Sequence, residues 1–298
     1  MSESAVHLAW RVTEPVHAMI YFVPEAAERY ATLGLDQTAG YFASRGAAFG
    51  AVGPGPVVAT FYNFRPDLVA RVLPEVWTRT TPTAVLAARL DAVDAALRRG
   101  LGDTLDGPQV AEAATLARRA AETAAAHPQG RPLFAAHADL PWPQAPHLVL
   151  WHAQMLLREF RGDGHVAALL LAELTGLEAM VLHVASGETN GAFLRASRGW
   201  SRAEWVEAAE RLRGRGLVAG DGDDPALTDA GRDLRAGIEE TTDRLSLPAY
   251  GVLGADGMAR LAELTRPLSR IIVKAGMVNP AGAATGPHQS DTSRRTHP

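Results

Sequence analysis

The fold is decided by the stretch WSRAEWVEAAERLRGRGLVAGDGDDPALTDAGRDLRAGIEETTD, which runs from Trp200 to Asp243. Ser201 followed by Glu204 matches a capping box, in which each side chain accepts a hydrogen bond from a backbone amide at the start of a helix. Apolar residues then recur at helical spacing, namely Trp205, Ala208, Ala209 and Leu212. The stretch therefore predicts a helix that begins just after Ser201.

The residues that follow predict a hairpin and a second helix. Gly214 and Gly216 are expected to end the first helix, because glycine readily adopts the left-handed conformation that follows many helices. Two short apolar pairs, Leu217-Val218 and Ala226-Leu227, flank an acidic turn and predict two small strands. Thr228 is the expected cap of the next helix. The predicted order is helix, hairpin, helix.

This order resembles the recognition helix, wing and following helix of the winged-helix MarR-type regulators. The matching segments are Leu212-Arg213-Gly214-Arg215-Gly216-Leu217-Val218 and Leu227-Thr228-Asp229-Ala230-Gly231. The resemblance implies a transcriptional regulator whose partner is DNA. Under that interpretation the residues expected to contact DNA are Arg198, Ser201, Arg202 and Arg211.

Charge argues against strong DNA binding by this unit. The expected recognition helix also carries Glu204, Glu207 and Glu210, and the expected wing carries Asp221, Asp223 and Asp224. Phosphate contacts made by lysine and arginine supply most non-specific affinity for DNA. A homodimer would double modest contacts, and the helix from Thr228 to Leu245 is expected to form it through Leu234, Ile238 and Leu245.

Composition limits the class of protein. A chain of 298 residues has room for one large domain or two ordinary ones. A hydrophobic content of 47% with 21% charged residues is typical of a soluble globular protein. A net charge of -4 offers no bulk attraction to nucleic acid or anionic lipid. The chain has no cysteine, which excludes disulfides, thiolate catalysis and cysteine-ligated metal sites.

No targeting segment is predicted. The first residues lack the basic and apolar regions of a secretory signal. The most apolar run, Val166 to Ala185, is interrupted by Glu173, Glu178 and His183, so it predicts core helices and no membrane partner. We therefore expect a cytoplasmic location.

The sequence predicts a mainly α fold, with a helical N-terminal domain followed by a helical and winged-helix C-terminal domain that carries the small β-hairpin wing. The predicted domains are a sensing domain at residues 1–145, the winged-helix domain at 146–275 and a disordered tail at 276–298. The boundary rests on five prolines between His127 and Pro146, which are expected to prevent a regular helix. This stretch is alternatively an ordered strap, because Leu133, Phe134, Leu140 and Trp142 are apolar.

The run Val57 to Phe61 predicts a short strand.

The densest polar segment lies between His147 and His165. A helix from Pro146 to Arg161 is expected to project His152 and Glu159 from nearly the same side, with Asp163 and His165 just beyond its end. These residues, with Arg158, are candidates for a ligand pocket or a divalent metal site. The alternative is structural, with Gly162-Asp163-Gly164 as a turn between helices. No known metal-binding spacing such as HExxH is present, and no cofactor is identified.

A second polar group lies near the N-terminus. Glu14, His17, Tyr21 and Glu25 are spaced by three, four and four residues, so a straight helix would align them, although Pro24 would interrupt it. Together the two groups predict a pocket between the helical halves, lined by His17, Tyr21, Arg45, His152 and Arg158. The alternative function is therefore a small-molecule-binding protein or an enzyme. A third interpretation is a protein–protein adaptor.

Most of the chain is similar to a group of actinobacterial helical proteins classified as helix-turn-helix or MarR-like. The similarity covers residues 10 to 273. The matching segments are Glu14-Pro15-Val16-His17, Tyr41-Phe42-Ala43-Ser44-Arg45, Thr60-Phe61-Tyr62-Asn63-Phe64, Leu150-Trp151-His152-Ala153, and Leu156 to His165. The resemblance implies a helix-turn-helix fold and no particular reaction. The leading prediction is a ligand-responsive regulator.

Overall fold

The computed structural model describes residues 5–222 and 224–278, and these residues are mainly helical, as predicted. The helices are α1 (Ala5–Ala18), α2 (Pro24–Ala31), α3 (Gln37–Gly46), α4 (Pro54–Phe61), α5 (Pro66–Ala70), α6 (Pro82–Leu101), α7 (Pro108–Ala124), α8 (Pro132–Ala138), α9 (Pro146–Leu171), α10 (Gly176–Ala185), α11 (Gly191–Ser197), α12 (Arg202–Gly214), α13 (Asp229–Tyr250) and α14 (Gly254–Lys274). Short 3-10 segments occur at Met19–Tyr21, Ala47–Phe49, Glu75–Thr78, Gly102–Asp106 and Gly251–Leu253.

The two strands form a small antiparallel hairpin between α12 and α13. They are β1 (Val218–Ala219) and β2 (Ala226–Leu227), with Val218 opposite Leu227. Among the described residues, these two strands make up the β-sheet, and it lies where the sequence predicts a hairpin. The first strand begins one residue later than predicted.

Local capping explains where the helices of this region begin. The capping boxes at Ser201 and Glu204 and at Thr175 and Glu178 are both formed, and the Thr228 hydroxyl accepts from the Gly231 amide. Each of these contacts satisfies an amide that has no partner within its helix. The predicted starts of α12 and α13 are confirmed.

A larger core fills the body built from α1 to α9 and α14. Helix α9 lies at its centre, where it packs against α1, α7 and α8, and α1 also packs along α14. The largest side chains buried there include Trp151, Phe42, Phe134, Phe160 and Met155. Met277 and Val278 also belong to this core, whereas residues 279–298 of the predicted tail lie outside the described residues.

A smaller core holds the predicted winged-helix region together. It is formed by the end of α9, α10, α12, the hairpin and α13, with Trp205 and Leu212 fully buried. Helices α9 and α13 each supply residues to both cores. The domain boundary at residue 145 stays a prediction.

The predicted break in α9 is wrong. The helix continues from Pro146 through Gly162-Asp163-Gly164 to Leu171. Tertiary packing overrides the local turn preference: Asp163 accepts from the Phe134 amide at 2.9 Å. A Cβ at Gly164 would lie 2.9 Å from the Arg131 guanidinium, so the glycine permits a close contact within the helix. Asp163 and His165 therefore lie within the helix.

Two other predictions of local structure are corrected. Val57 to Phe61 is helical in α4, because Pro54 occupies the first helical turn and Val57 is fully buried. The proline-rich stretch contains α8, which begins at Pro132, since proline is tolerated in the first turn of a helix. Phe134 of α8 packs edge-on against Phe160 of α9, with 5.0 Å between ring centroids, so this part of the stretch is helical and packed.

Within the part of the chain that the structure describes, no single helix is long and apolar enough to span a membrane. The bent pair α9 and α10, with 96° between its members, passes the same test on length and composition alone.

Candidate functional site

Helix α12 buries one face and exposes the other. Trp205, Ala208, Ala209 and Leu212 pack into the smaller core, as their spacing predicts. The exposed face carries Arg202, Ala203, Glu207, Glu210 and Arg211. An exposed face on a helix that is anchored by its opposite side is the geometry that a groove-binding helix requires.

Arginines of this region are engaged in contacts within the protein. Arg211 donates from Nε to Glu178 at 2.8 Å, and the Arg213 guanidinium lies 2.6 Å from Glu210. Arg213 also donates to the carbonyl oxygens of Gly220 and Gly222 in the hairpin turn. These contacts fix the hairpin against α12.

The start of α12 is joined to the N-terminal body. Arg65 donates from Nε to Glu204 at 3.0 Å, and the Trp200 indole donates to the Asn63 carbonyl at 2.8 Å. The Arg65 amide donates to the Arg198 carbonyl at 2.9 Å. The turn before α12 is therefore held by side-chain and backbone contacts from residues 63 to 65.

The start of α10 is tightly packed on the same part of the body. A Cβ at Gly176 would lie 2.0 Å from the Tyr62 carbonyl oxygen, so only glycine fits this contact. The Tyr62 hydroxyl in turn donates to the Leu174 carbonyl. Tyr62 itself has a positive φ of 55°, a conformation that is uncommon for a residue with a side chain.

A buried ionic cluster lies inside the body at the predicted polar groups. Glu159 is 4% exposed and accepts from Arg45 Nη2 at 3.0 and 3.1 Å. Arg158 lies 3.5 Å from the same carboxylate and donates from Nε to Glu14 at 2.7 Å. Helices α1, α3 and α9 thus meet at two arginines and two carboxylates.

Aromatic side chains surround this ionic cluster. Arg45 donates to the Tyr41 hydroxyl at 2.9 Å, and its guanidinium lies 4.2 Å from the Phe61 ring centroid. Tyr21 and His17 are joined by a 2.9 Å hydrogen bond between the hydroxyl and Nε2. His17 also stacks on Trp151 at 5.3 Å. The arginines are therefore held by both hydrogen bonds and aromatic faces.

Burial and neighbouring charges shift the ionisation of the cluster. Burial alone would raise the pKa of Glu159, but Arg45 and Arg158 hold the pKa of that carboxyl at about 2. Burial, followed by repulsion from Arg158, lowers the pKa of His17 well below its ordinary value. Glu159 is therefore ionised and His17 neutral near pH 7.

The chain matches the helix-turn-helix family over residues 6–279. The protein belongs to that family. No curated protein and no solved structure matches the chain. Membership in this family supports a DNA-binding helix-turn-helix protein, and it does not extend to MarR-type regulation.

The structure of this helix-turn-helix protein brings together five of the predicted ligand-binding residues, which are His17, Tyr21, Arg45, Arg158 and Glu159. The other three lie elsewhere. His152 packs against Trp142 with 4.7 Å between ring centroids, and Asp163 accepts from the Phe134 amide. His165 bonds to the Thr242 hydroxyl at 2.9 Å.

Two members of the buried network were not predicted. Arg89 of α6 donates to the Ser44 carbonyl at 2.7 Å and lies 3.4 Å from His137. His137 in turn bonds to the Leu133 carbonyl at 2.8 Å. The available signal was a charged residue on the otherwise apolar face of α6 that holds Val85, Ala92, Val93 and Ala96.

Of the four helix-turn-helix residues predicted to contact DNA, three are exposed on this protein: Ser201, Arg202 and Arg211. Arg198 lies differently. Its guanidinium lies 4.7 Å from the Phe64 ring centroid, and its buried Nε has no hydrogen-bond partner. The Arg198 side chain therefore packs toward the body, beside the ionic cluster.

The helix-turn-helix protein also has a surface cleft of about 380 Å³ beside the hairpin, between α10 and α13. Its lining includes Glu188, Leu227, Arg232, Arg235 and Glu239. A neighbouring cavity of about 90 Å³ is lined by His165, His183 and Ile238 among others. Arg235 and Glu239 border both spaces.

A group with metal-ligand chemistry is formed by His7 of α1 with Glu239 and Asp243 of α13. The guanidinium of Arg161 lies 2.8 Å from Glu239, 3.0 Å from Asp243 and 3.2 Å from His7. A cation is thus already supplied by the protein, and the arrangement is an internal ion-pair network.

Proposed function

We propose that this protein is a ligand-responsive transcriptional regulator of the MarR type. Helix α12 acts as the recognition helix and the β1–β2 hairpin as the wing. Ser201, Arg202 and Arg211 contact DNA, and the N-terminal helices up to about residue 145 form the sensing part. A cytoplasmic location and the assignment to an actinobacterial group belong to this proposal.

The observation that carries the proposal is the two-sided nature of α12. Its apolar face is fixed in the smaller core, and its other face, which carries Ala203, is exposed to solvent. Ser201 and Arg202 are exposed at the helix N-terminus, and serine and arginine side chains are among those that contact phosphates in DNA complexes.

The same face explains why the affinity is expected to be modest. Glu207 and Glu210 are exposed beside Arg211, and Arg211 is paired with Glu178. Each phosphate contact that is absent lowers affinity and reduces its dependence on salt. We therefore expect binding that is strong only at low ionic strength or with a dimer on two half-sites.

Two of the three residues predicted to form a homodimer interface pack within the chain. Ile238 is 7% exposed and belongs to the smaller core, and Leu234 packs against that core. The apolar face of α13 is thus used within the chain. Light scattering on the purified protein with and without DNA measures the oligomeric state directly.

The experiment that tests the proposal is a gel-shift assay at low salt with fragments of the source genome. The proposal predicts that a subset of fragments is retained and that raising the salt concentration releases them. Failure to retain any fragment at micromolar protein contradicts it.

A second function is favoured by a specific observation in the body. Buried atoms of His17, Arg45 and His152 have no hydrogen-bond partner, which is unusual for a purely structural interior. The alternative is a small-molecule-binding protein or enzyme that does not use DNA. Native mass spectrometry of the purified chain distinguishes the two, because a co-purified ligand without DNA binding supports the alternative.

A further inference from the structure

Arginines outnumber carboxylates where the turn before α12 meets the body. Arg45, Arg158 and Arg198 surround Tyr41, whereas the carboxylates that face them are Glu14 and Glu159. Glu159 is bound by Arg45, and Glu14 is bound by Arg158. Within residues 5–222 and 224–278, no carboxylate pairs with Arg198. The cluster carries an excess positive charge.

Two guanidinium donors of this cluster lack an acceptor. Arg45 Nε and Arg198 Nε are both buried, and neither has a hydrogen-bond partner. Arg45 as a whole is 9% exposed. Nearly all buried donors in proteins have a hydrogen-bond partner. An oxyanion, which has several lone pairs, is the partner that suits a guanidinium best.

Parts of the cluster are exposed to solvent. Tyr21, Tyr41 and Arg198 are half-buried, and the Arg158 side chain is 28% exposed. Phe61 packs against Tyr41 and Arg45, and Phe64 packs against Tyr41 and Arg198, so apolar rings border the cluster. A small molecule with a charged end and an apolar body would match this arrangement.

We propose that Tyr41, Arg45, Arg158 and Arg198, the arginine cluster, bind a small molecule that bears a carboxylate or phosphate group. Each arginine presents planar donors that match the oxygens of such a group. The Tyr41 hydroxyl accepts from Arg45 Nη1 at 2.9 Å. Although burial opposes it, the pKa of Tyr41 is lowered by Arg45, Arg198 and Arg158, so negative charge is stabilised at this position.

The same site is connected to the recognition helix, and this part of the inference rests on the proposed function. Arg198 lies in the turn that precedes α12, and its carbonyl oxygen accepts from the Arg65 amide. Arg65 also binds Glu204, whose carboxylate caps α12. An anion that draws the Arg198 side chain toward Arg45 and Arg158 therefore acts on the entry to α12. Arg198 senses the ligand in this account and does not contact DNA.

Binding is tested on the full chain without DNA. Acetate and inorganic phosphate are titrated as potassium salts up to ~50 mM, with potassium chloride added to hold the ionic strength constant, and thermal unfolding is followed. The expected result is a saturable rise in Tm with at least one of the two anions. The anion that gives the larger rise distinguishes a carboxylate site from a phosphate site. No saturable rise with either anion overturns the proposal.

Variants locate the site. Arg198→Ala is expected to lower the affinity for the anion at least about tenfold, because a charge-assisted contact is lost. Arg198→Lys keeps the charge and is expected to bind with intermediate affinity, which also serves if the alanine variant unfolds. Arg270→Ala removes an exposed arginine of α14 and should leave the affinity unchanged. Equal affinity in all four proteins, each folded by circular dichroism, overturns the assignment.

Coupling is measured separately on a DNA fragment retained in the gel shift. The saturating anion is expected to change DNA affinity in the wild type and in Arg270→Ala, and to have no effect in Arg198→Ala. Anion binding without any DNA binding contradicts the proposed regulator and leaves the anion site standing. Both bindings without mutual influence contradict the coupling through Arg198.

Discussion

Arg65 donates from Nε to the Glu204 carboxylate at 3.0 Å, and this ion pair joins the N-terminal body to the first turn of α12. The same carboxylate accepts from the Ser201 amide at 2.8 Å, so one side chain both caps the helix and attaches it to the body. The position of α12 relative to the body is thus determined at its N-terminus, which is also the end proposed to face DNA.

The first prediction concerns this carboxylate. Glu204→Ala removes the cap and the ion pair together and should lower the free energy of unfolding by about 1–2 kcal/mol, most of it from the cap because the ion pair is partly exposed. Urea denaturation measures the change. Glu207→Ala, on the exposed face of the same helix, is the matched control and should change stability little. Equal effects of the two substitutions would show that Glu204 has no special role.

The second prediction concerns the contact between α10 and the body. Gly176→Ala places a methyl group 2.0 Å from the Tyr62 carbonyl oxygen, and the required backbone shift should cost about 1–3 kcal/mol. Gly214→Ala at the end of α12 meets no atom within 4 Å and should be neutral or stabilising by up to about 1 kcal/mol. Thermal unfolding of both variants makes the comparison, and a stable Gly176→Ala protein would contradict the packing described.

The third prediction concerns the buried ion pair. Glu159→Gln leaves Arg45 and Arg158 without their shared carboxylate and should destabilise the fold by about 3–5 kcal/mol. Glu207→Gln is an exposed control for the same change of chemistry. Urea denaturation at pH 7 gives both values. A smaller loss of unfolding free energy in Glu159→Gln than in Glu207→Gln would mean that Glu159 does not balance the charge of these arginines.

The fourth prediction concerns pH. Burial lowers the pKa of His152 to about 3 and that of His137 to about 4, against an ordinary value near 6.5. Between the ordinary pKa and the lowered pKa of each histidine, the unfolded chain binds more protons than the folded chain. The free energy of unfolding therefore falls as pH decreases, by up to about 1.4 kcal/mol per pH unit for each histidine. Asp163 opposes this between pH 6 and 3.8, because burial raises its pKa to about 6 and the folded state takes up the proton.

Urea denaturation at pH 7.5 and pH 5 tests the pH prediction. The wild type is expected to be less stable at pH 5, and His152→Gln should reduce the difference. His127→Gln changes an exposed histidine and should leave the difference as it is in the wild type. An unchanged difference in His152→Gln would show that this histidine is not held neutral by the fold.

The region after Gly199 could be predicted from sequence because its signals are local. The serine and threonine caps, the glycine at position 216 and the apolar spacing of Trp205 to Leu212 act within a few residues of one another. Local chemistry and tertiary packing agree here, so the expected elements form.

The buried cluster could be predicted only in part. The spacing of His17 and Tyr21 anticipates their contact, since they are one helical turn apart. The pairing of Arg45 with Glu159 joins residues 114 positions apart and depends on how α3 packs against α9. The break predicted at Gly162 failed for the same reason, because distant residues support a continuous helix.

Charge inserted on the exposed face of α12 tests most directly whether that face contacts DNA. Ala203→Glu adds a carboxylate to that face without removing a packed side chain, and Ala111→Glu makes the same change on α7. Fluorescence anisotropy with a retained genomic fragment at low salt should show at least about tenfold weaker binding for Ala203→Glu alone. Equal affinity of the two variants and the wild type would contradict the assignment of α12 as the recognition helix.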